Sequence, residues 1–241
     1  MTGQPVKSAK TLSYREEQHI PILLSFIAAF VDVVCYLALF RTFTAFVTGT
    51  LIILASEIIH QDELWIMKVF VVFSFILGLF FWLILLRKLK SWKYLRAFVL
   101  AIEAALLGAF MLSGAIFSPL SGADSPETIL VALVAVLAMT LQNAAMAQIF
   151  HQHVPTTVMT GNFARFAISV LDIFGSGQAY AEKDKDAAFK TRSQLRHYCH
   201  VLMAFSAGAL TGAIAYDIGG FFALACPVLI LAVLALYQWR T

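Results

Sequence analysis

The sequence predicts an all-α polytopic membrane protein with six full spans arranged as 3+3 inverted repeats. Each repeat carries a short broken or re-entrant helix after its first span. Three observations predict it. First, 61% of the 241 residues are hydrophobic and only 13% are charged, with a mean hydropathy of +0.83. A soluble domain of this size could not cover so much apolar surface, so the bilayer is its solvent. Second, a threonine-glycine string occurs twice. Thr44 to Leu54 reads TAFVTGTLIIL and Thr156 to Phe166 reads TTVMTGNFARF, with Thr44/Thr156, Thr48/Thr160 and Gly49/Gly161 in register. Third, the basic residues cluster between apolar runs, which is how charge sets orientation in membrane proteins.

Taken in order, residues 1–20 are polar and contain Lys7, Lys10 and Arg15. The run 21–40 is long enough to span and lacks a small-residue cleavage site, so it reads as an uncleaved first span. Further full spans fall at roughly 65–86, 95–117, 128–150, 198–218 and 220–239. Two shorter apolar runs, 46–59 and 158–174, follow the repeated strings. The first measures roughly 21 Å as a helix, short of a hydrocarbon core of about 30 Å.

Charge decides whether these two short runs cross. The loop RKLKSWKYLR holds Arg87, Lys88, Lys90, Lys93 and Arg96, and residues 175–197 hold Lys183, Lys185, Lys190, Arg192 and Arg196. With the N-terminus, these regions belong on the cytoplasmic side. An even number of crossings must then separate each from the next, and the full spans alone supply it. Both short runs therefore enter and leave by one face. Residues 21–117 form the first repeat, 118–127 an external loop without Lys or Arg, and 128–241 the second repeat. The first repeat starts inside and the second outside, which makes them inverted. The alternative is a pair of amphipathic helices lying on the surface; few basic residues on either run argue against it.

Non-helical backbone at membrane depth must be shielded by protein or line a wet cavity. Arg41 to Val47 is placed to enter extended, with Thr48, Gly49 and Thr50 capping a short helix that returns outward. Val154 to Met159 is placed to do the same from inside, where Pro155 disfavours helix just before it, and Thr160 and Asn162 are good capping types. Two helix N-termini would then meet near the midplane, offering N–H groups and partial positive charge to a small polar or anionic solute. The plainer reading of each glycine is a close helix contact.

The intramembrane polar residues extend this candidate site. Asp32 falls near the midplane of the first span, either as a proton-responsive group or as an acceptor for the nearby threonines or a helix N-terminus. Gln142 and Asn143 precede the second string and either contribute to the site or bind helices together. Arg165 lies one turn into the second short helix and either pairs with Asp32 or a solute, or snorkels to the surface. Glu103 in the third span is a second proton-coupling candidate. Glu57 and Asp172 lie near the exits of the short helices, where solvation is expected. His151 and His153 read as a wet loop, and Asp217 as an ordinary boundary residue. The substrate-binding set is thus Asp32, Thr48, Gly49, Thr50, Asn143, Thr160, Gly161, Asn162 and Arg165. Ser74/Gly78 and Gly208/Gly212 occupy matching places in the two halves and allow close helix approach.

Other classes lack their signatures. Cys35, Cys199 and Cys226 stand singly, so three free thiols are expected, and no metal or cofactor is implied. No HExxH, GxSxG or Cys/His nucleophile pattern appears, so the chain is not expected to be an enzyme. The net charge of +3 with no basic, aromatic-interleaved face gives no reason to expect nucleic acid as a partner. The expected partners are the bilayer and a solute, with a homo-oligomer left open. The rival to a transporter or channel is a non-transporting membrane assembly or regulatory protein.

With these residues laid out, the chain resembles the YoaK family of bacterial inner-membrane proteins, the domain of unknown function 1275. The resemblance rests on Val31-Asp32 followed by TAFVTGT, on LQNA at Leu141 to Ala144 followed by TTVMTGN, and on Arg165. It covers nearly the whole chain. It implies a multi-pass protein of a bacterial inner membrane, here oriented with both termini cytoplasmic. It implies no established activity.

Overall fold

The computed structural model describes residues 19–60, 64–150, 159–175 and 185–240. Among them every regular element is helical: α1 His19–Ala38, α2 Val47–His60, α3 Trp65–Lys88, α4 Leu95–Phe117, α5 Pro126–Gln148, α6 Met159–Gly175, α7 Lys185–Gly219, a 3-10 turn Gly220–Leu224 and α8 Ala225–Arg240. Helix is the form in which a chain segment satisfies its own backbone polar groups in hydrocarbon. The boundaries carry local signals. α5 opens with Ser125, whose hydroxyl accepts the Thr128 N–H, and with Pro126 where a missing N–H costs nothing.

Five stretches are long and apolar enough to cross a membrane: α1, α3, α4, α5 and the continuous stretch Arg192–Arg240. The last contains both expected C-terminal spans. It is interrupted at Gly219–Leu224, where Gly220 adopts a left-handed φ of 55° and the helix tightens to 3-10. Of residues 175–197, expected as a loop, the described ones from Lys185 on are helical instead. Helix α7 begins at Lys185 and runs unbroken for 35 residues. Hydropathy marks only the apolar portion of a helix, whereas Ala, Lys, Gln and Arg sustain helix beyond it.

The helices sort into centre and periphery. About two-thirds of the apolar windows of α1 and α5 are buried, against about a third for α3, α4 and the C-terminal stretch. The peripheral helices present large apolar side chains outward at helical spacing, such as Phe73, Leu77, Phe80 and Ile84 on α3 and Leu229, Val233 and Leu236 on α8. In lipid such a face needs no cover, and helix association rests on close packing. α1 packs most extensively on α7, α3 on α5, and α4 on both α8 and α5, while α2 lies on α3 and α6 on α7. The small residues singled out in the sequence make the close approaches. A Cβ on Gly208 would collide with the Phe26 backbone, one on Gly212 would stand 3.0 Å from Phe30 backbone atoms, and one on Gly78 would stand 2.9 Å from the Thr140 hydroxyl.

Gly208→Leu should therefore pry α7 from α1 and lower stability by about 1–3 kcal/mol or more, as overpacking does. Gly161, whose added Cβ meets nothing within 4 Å, should accept alanine without loss. Thermal unfolding of the detergent-solubilised variants checks both, and equal melting temperatures for Gly208→Leu and the parent would refute the packing assignment.

Candidate functional site at the first helix break

After α1 the chain turns sharply. Phe40 and Arg41 both adopt left-handed φ values, 48° and 60°, which residues with a Cβ rarely do. The turn is closed by the Arg41 N–H on the Tyr36 carbonyl and the Thr42 N–H on the Leu39 carbonyl. The chain then runs back along α1, without helix, as far as Phe46. There it meets Asp32. One carboxylate oxygen accepts the backbone N–H groups of Thr44 at 2.8 Å and Ala45 at 2.7 Å, and the other accepts that of Phe46 at 2.7 Å. The Thr44 hydroxyl adds a long bond of 3.5 Å to the first oxygen and lies 3.2 Å from the Cys35 sulfur. Asp32 thus gathers the donors that lead into α2, which starts at Val47. Helix starts carry such orphan donors and partial positive charge, and an anionic acceptor suits both.

This corrects the expected capping arrangement. Thr48, Gly49 and Thr50 lie inside the first turn of α2 rather than ahead of it. Thr48 is exposed. Thr50 is fully buried, and its hydroxyl donates to the Phe43 carbonyl at 2.8 Å while accepting the Phe43 N–H at 2.9 Å, fixing the approach strand to the helix. Gly49 is covered by aromatic rings: an added Cβ would stand 2.6 Å from Phe46 and 3.0 Å from Phe43. Phe43 itself stacks on Tyr36.

A second polar cluster was missed in the sequence. Lys68, on the first turns of α3, is fully buried; its ammonium pairs with Glu57 at 2.8 Å and donates to the Phe40 carbonyl at 2.8 Å. Glu57 is only 7% exposed, contrary to the solvation expected for it. Its partner comes from the next helix, which a one-dimensional reading could not pair with it. The signal available was a lysine three residues inside a long apolar run. The ion pair joins the far part of α2 to α3 and to the strained turn.

The second string is built differently. Residues 151–158, and with them His151, His153, Val154, Pro155 and Thr156, lie outside the described residues. Thr160 and Arg165 are exposed on α6, Gly161 is half-buried, and Asn162 is fully buried, its amide donating to the Met159 sulfur at 3.4 Å. α6 packs principally on α7, and α2 on α3, so neither Thr-Gly helix has the other as a main packing partner. The structure brings Asp32, Gly49 and Thr50 to one place, and Thr160, Asn162 and Arg165 to another helix. Gln142, fully buried, donates to the Leu24 carbonyl at 2.6 Å and so ties α5 to α1. The Asn143 amide donates to the Met139 carbonyl one turn back. Glu103 is 1% exposed, and neither of its oxygens meets a hydrogen-bond partner among the described residues. Asp172 and Asp217 are exposed.

An all-helical bundle with a lipid-compatible exterior, polar groups held inside and several helices able to cross a bilayer is an integral, multi-pass membrane protein. Residues 20–237 match the family described as protein of unknown function DUF1275, and the chain belongs to that family. No curated protein and no solved structure matches it.

The cap and the ion pair make separable predictions. Asp32→Ala should cost several kcal/mol, since it strips acceptors from buried N–H groups at about 1–3 kcal/mol each. Asp32→Asn should fall between parent and alanine, because an amide offers one acceptor oxygen and turns an NH2 toward a donor. Lys68→Met should cost about 3–5 kcal/mol by stranding the Glu57 charge, and adding Glu57→Leu should recover most of it. Thiol-reactive dye labelling of the buried Cys35 during heating, in a variant lacking Cys199 and Cys226, reads all four; a Lys68→Met protein as stable as the parent would remove the ion pair from the account.

Proposed function

We propose that the protein is a small secondary transporter or channel for a small polar or anionic solute, built from six spans as inverted repeats with a re-entrant helix in each half. The observation that carries this reading is the return of the chain to Asp32. Asp32 lies six residues before the end of α1, roughly 9 Å along the axis at about 1.5 Å per residue. Thr44–Phe46 are bound at that depth, whereas Glu57 is linked through Lys68 to Phe40, beyond the end of α1. α2 therefore begins deep and exits by the face it entered. Broken helices of this kind in membrane interiors commonly form solute and ion sites.

The pattern of helix pairing supports the repeat. Matching α1–α4 with α5–α8 in order, α1 on α7 corresponds to α5 on α3, and α2 on α3 to α6 on α7. Gly78 against Thr140 is the counterpart of Gly212 against Phe30. Corresponding helices also run in opposite senses. Trp239 of α8 stacks on Tyr94 ahead of α4, while Phe221, ahead of α8, packs on Gly114 and Phe110 near the other end of α4. Gln142, late in α5, reaches Leu24, early in α1. The register of α7 beside α1 is parallel, since Gly208 and Gly212 meet Phe26 and Phe30. Together with the antiparallel fit of α8 on α4, this favours a reversal at Gly219–Leu224 and hence six crossings.

Within this reading the roles divide. Asp32 already fills the first helix N-terminus with an anion, so an anionic solute falls to Thr160, Gly161, Asn162 and Arg165 on α6, with Asn143. Thr48, exposed beside Gly49 and Thr50, is the contact that the first segment still offers. Proton coupling falls to Glu103, an intramembrane carboxyl without a hydrogen-bond partner among the described residues, rather than to Asp32. The occupation of both Asp32 oxygens also favours the second reading, a non-transporting assembly or regulatory protein in which the breaks serve only to pack. A bacterial inner membrane with cytoplasmic termini is the setting both share.

Two experiments test this. Impermeant thiol reagents applied from outside should label a cysteine placed at the exposed Ser121 and not one at the exposed Ser91, in a cysteine-free background; labelling at Ser91 would sink the inverted arrangement. In proteoliposomes, stopped-flow light scattering with formate, acetate, nitrate and urea should show protein-dependent entry of at least one solute. Glu103→Gln should fold normally and uncouple that entry from an imposed pH gradient. Entry of none of the four above empty liposomes would favour the packing role.

A further inference from the structure

The α6–α7 junction holds a groove of about 320 Å³ with a chemistry of its own. Its floor is apolar: Phe166 and Val170, one turn apart on α6, face Leu195 and Met203 on α7. Its basic edge is Arg192, Arg196 and His200, also lining the groove. Their spacing of four residues puts them on one face of α7 over successive turns. All three are exposed, and no acidic side chain is among the described residues lining the groove. The edge sits just before the apolar part of α7, where Val201 and Leu202 are buried and Leu210, Ile214 and Ile218 face outward. In a bilayer spanned by the apolar part of α7, this edge would stand at the headgroups. On the α6 side, Phe163, Ile168 and Leu171 are also exposed.

We infer that this groove binds an anionic phospholipid. Guanidinium groups suit a phosphodiester in charge and in fork geometry, and an apolar trough beneath them suits an acyl chain. Basic pockets between membrane helices are known to hold acidic headgroups. A free phosphate would use the arginines and leave the floor unused, so the two sources of the same anion are separable. The inference rests on the groove alone and not on transport.

The test is lipid binding by the intact protein in a neutral detergent, read by native mass spectrometry and by the shift in melting temperature. Four probes are compared: phosphatidylglycerol, phosphatidylcholine with the same chains, glycerol 3-phosphate and inorganic phosphate. Phosphatidylglycerol should bind about tenfold or more tightly than phosphatidylcholine, from about 1 kcal/mol per basic residue. The two soluble phosphates should neither compete nor stabilise. Arg192→Gln/Arg196→Gln should abolish the preference, while Arg240→Gln, at the end of α8, should keep it. Should the double variant fail to fold, rising salt applied to the parent must erase the same preference. Equal binding of the two lipids, a preference unmoved by the double variant or by salt, or competition by glycerol 3-phosphate would each overturn the inference.

Discussion

The passage from α1 to α2 depends on one carboxylate. Asp32 holds the N–H groups of Thr44, Ala45 and Phe46, and without it those donors would sit in the interior unpaired. Unsatisfied backbone at membrane depth costs several kcal/mol per group. The other features of the break follow from that grip. The chain must reverse within a few residues of Ala38 to reach Asp32, which forces Phe40 and Arg41 into left-handed backbone. Its return path must stay in register with α2, which Thr50 secures through both polar groups of Phe43. The helix start must accept the Phe43 and Phe46 rings against its surface, which requires glycine at position 49.

Lys68 completes the arrangement from the opposite end. The left-handed turn leaves the Phe40 carbonyl directed at the buried ammonium, and Glu57 supplies the balancing charge. A buried ion pair adds little net stability relative to apolar side chains, because desolvation offsets attraction. Its effect is registry: it permits one height of α2 against α3. Ser169 lies as far beyond Gly161 as Glu57 beyond Gly49, and Leu202 as far before Gly212 as Lys68 before Gly78; both are buried and uncharged.

Much of this was legible in one dimension because the bilayer imposes a length and a polarity on each element. Apart from α7, which begins well ahead of its apolar run, the helices fall within about five residues of the expected runs, and Gly208 and Gly212 sit where α7 meets the α1 backbone. The first Thr-Gly string marks a helix start after a non-helical approach, yet it suggests the wrong cap, since a capping side chain need not be local; the approach to the second string lies outside the described residues. Asp32 reaches its donors twelve to fourteen positions on. Glu57 was unreadable for the same reason: exposure is decided by a partner on another helix. The polar half of α7 was read as loop because hydropathy is silent on a solvated helix. The string also implied that both glycines do the same work, whereas only Gly49 is enclosed and Gly161 faces open space.

This asymmetry extends to the polar residues before each string. A helix start attracts anions, and the Asp32 carboxylate sits at the approach to α2, on the N–H groups of Thr44, Ala45 and Phe46. The polar residues before the second string, Gln142 and Asn143, are neutral. Gln142 spends its amide on the Leu24 carbonyl across the α1–α5 contact, and Asn143 directs its amide to Met139. The amides of α5 thus tie helices and turns together, whereas the Asp32 carboxylate holds the approach to a helix start.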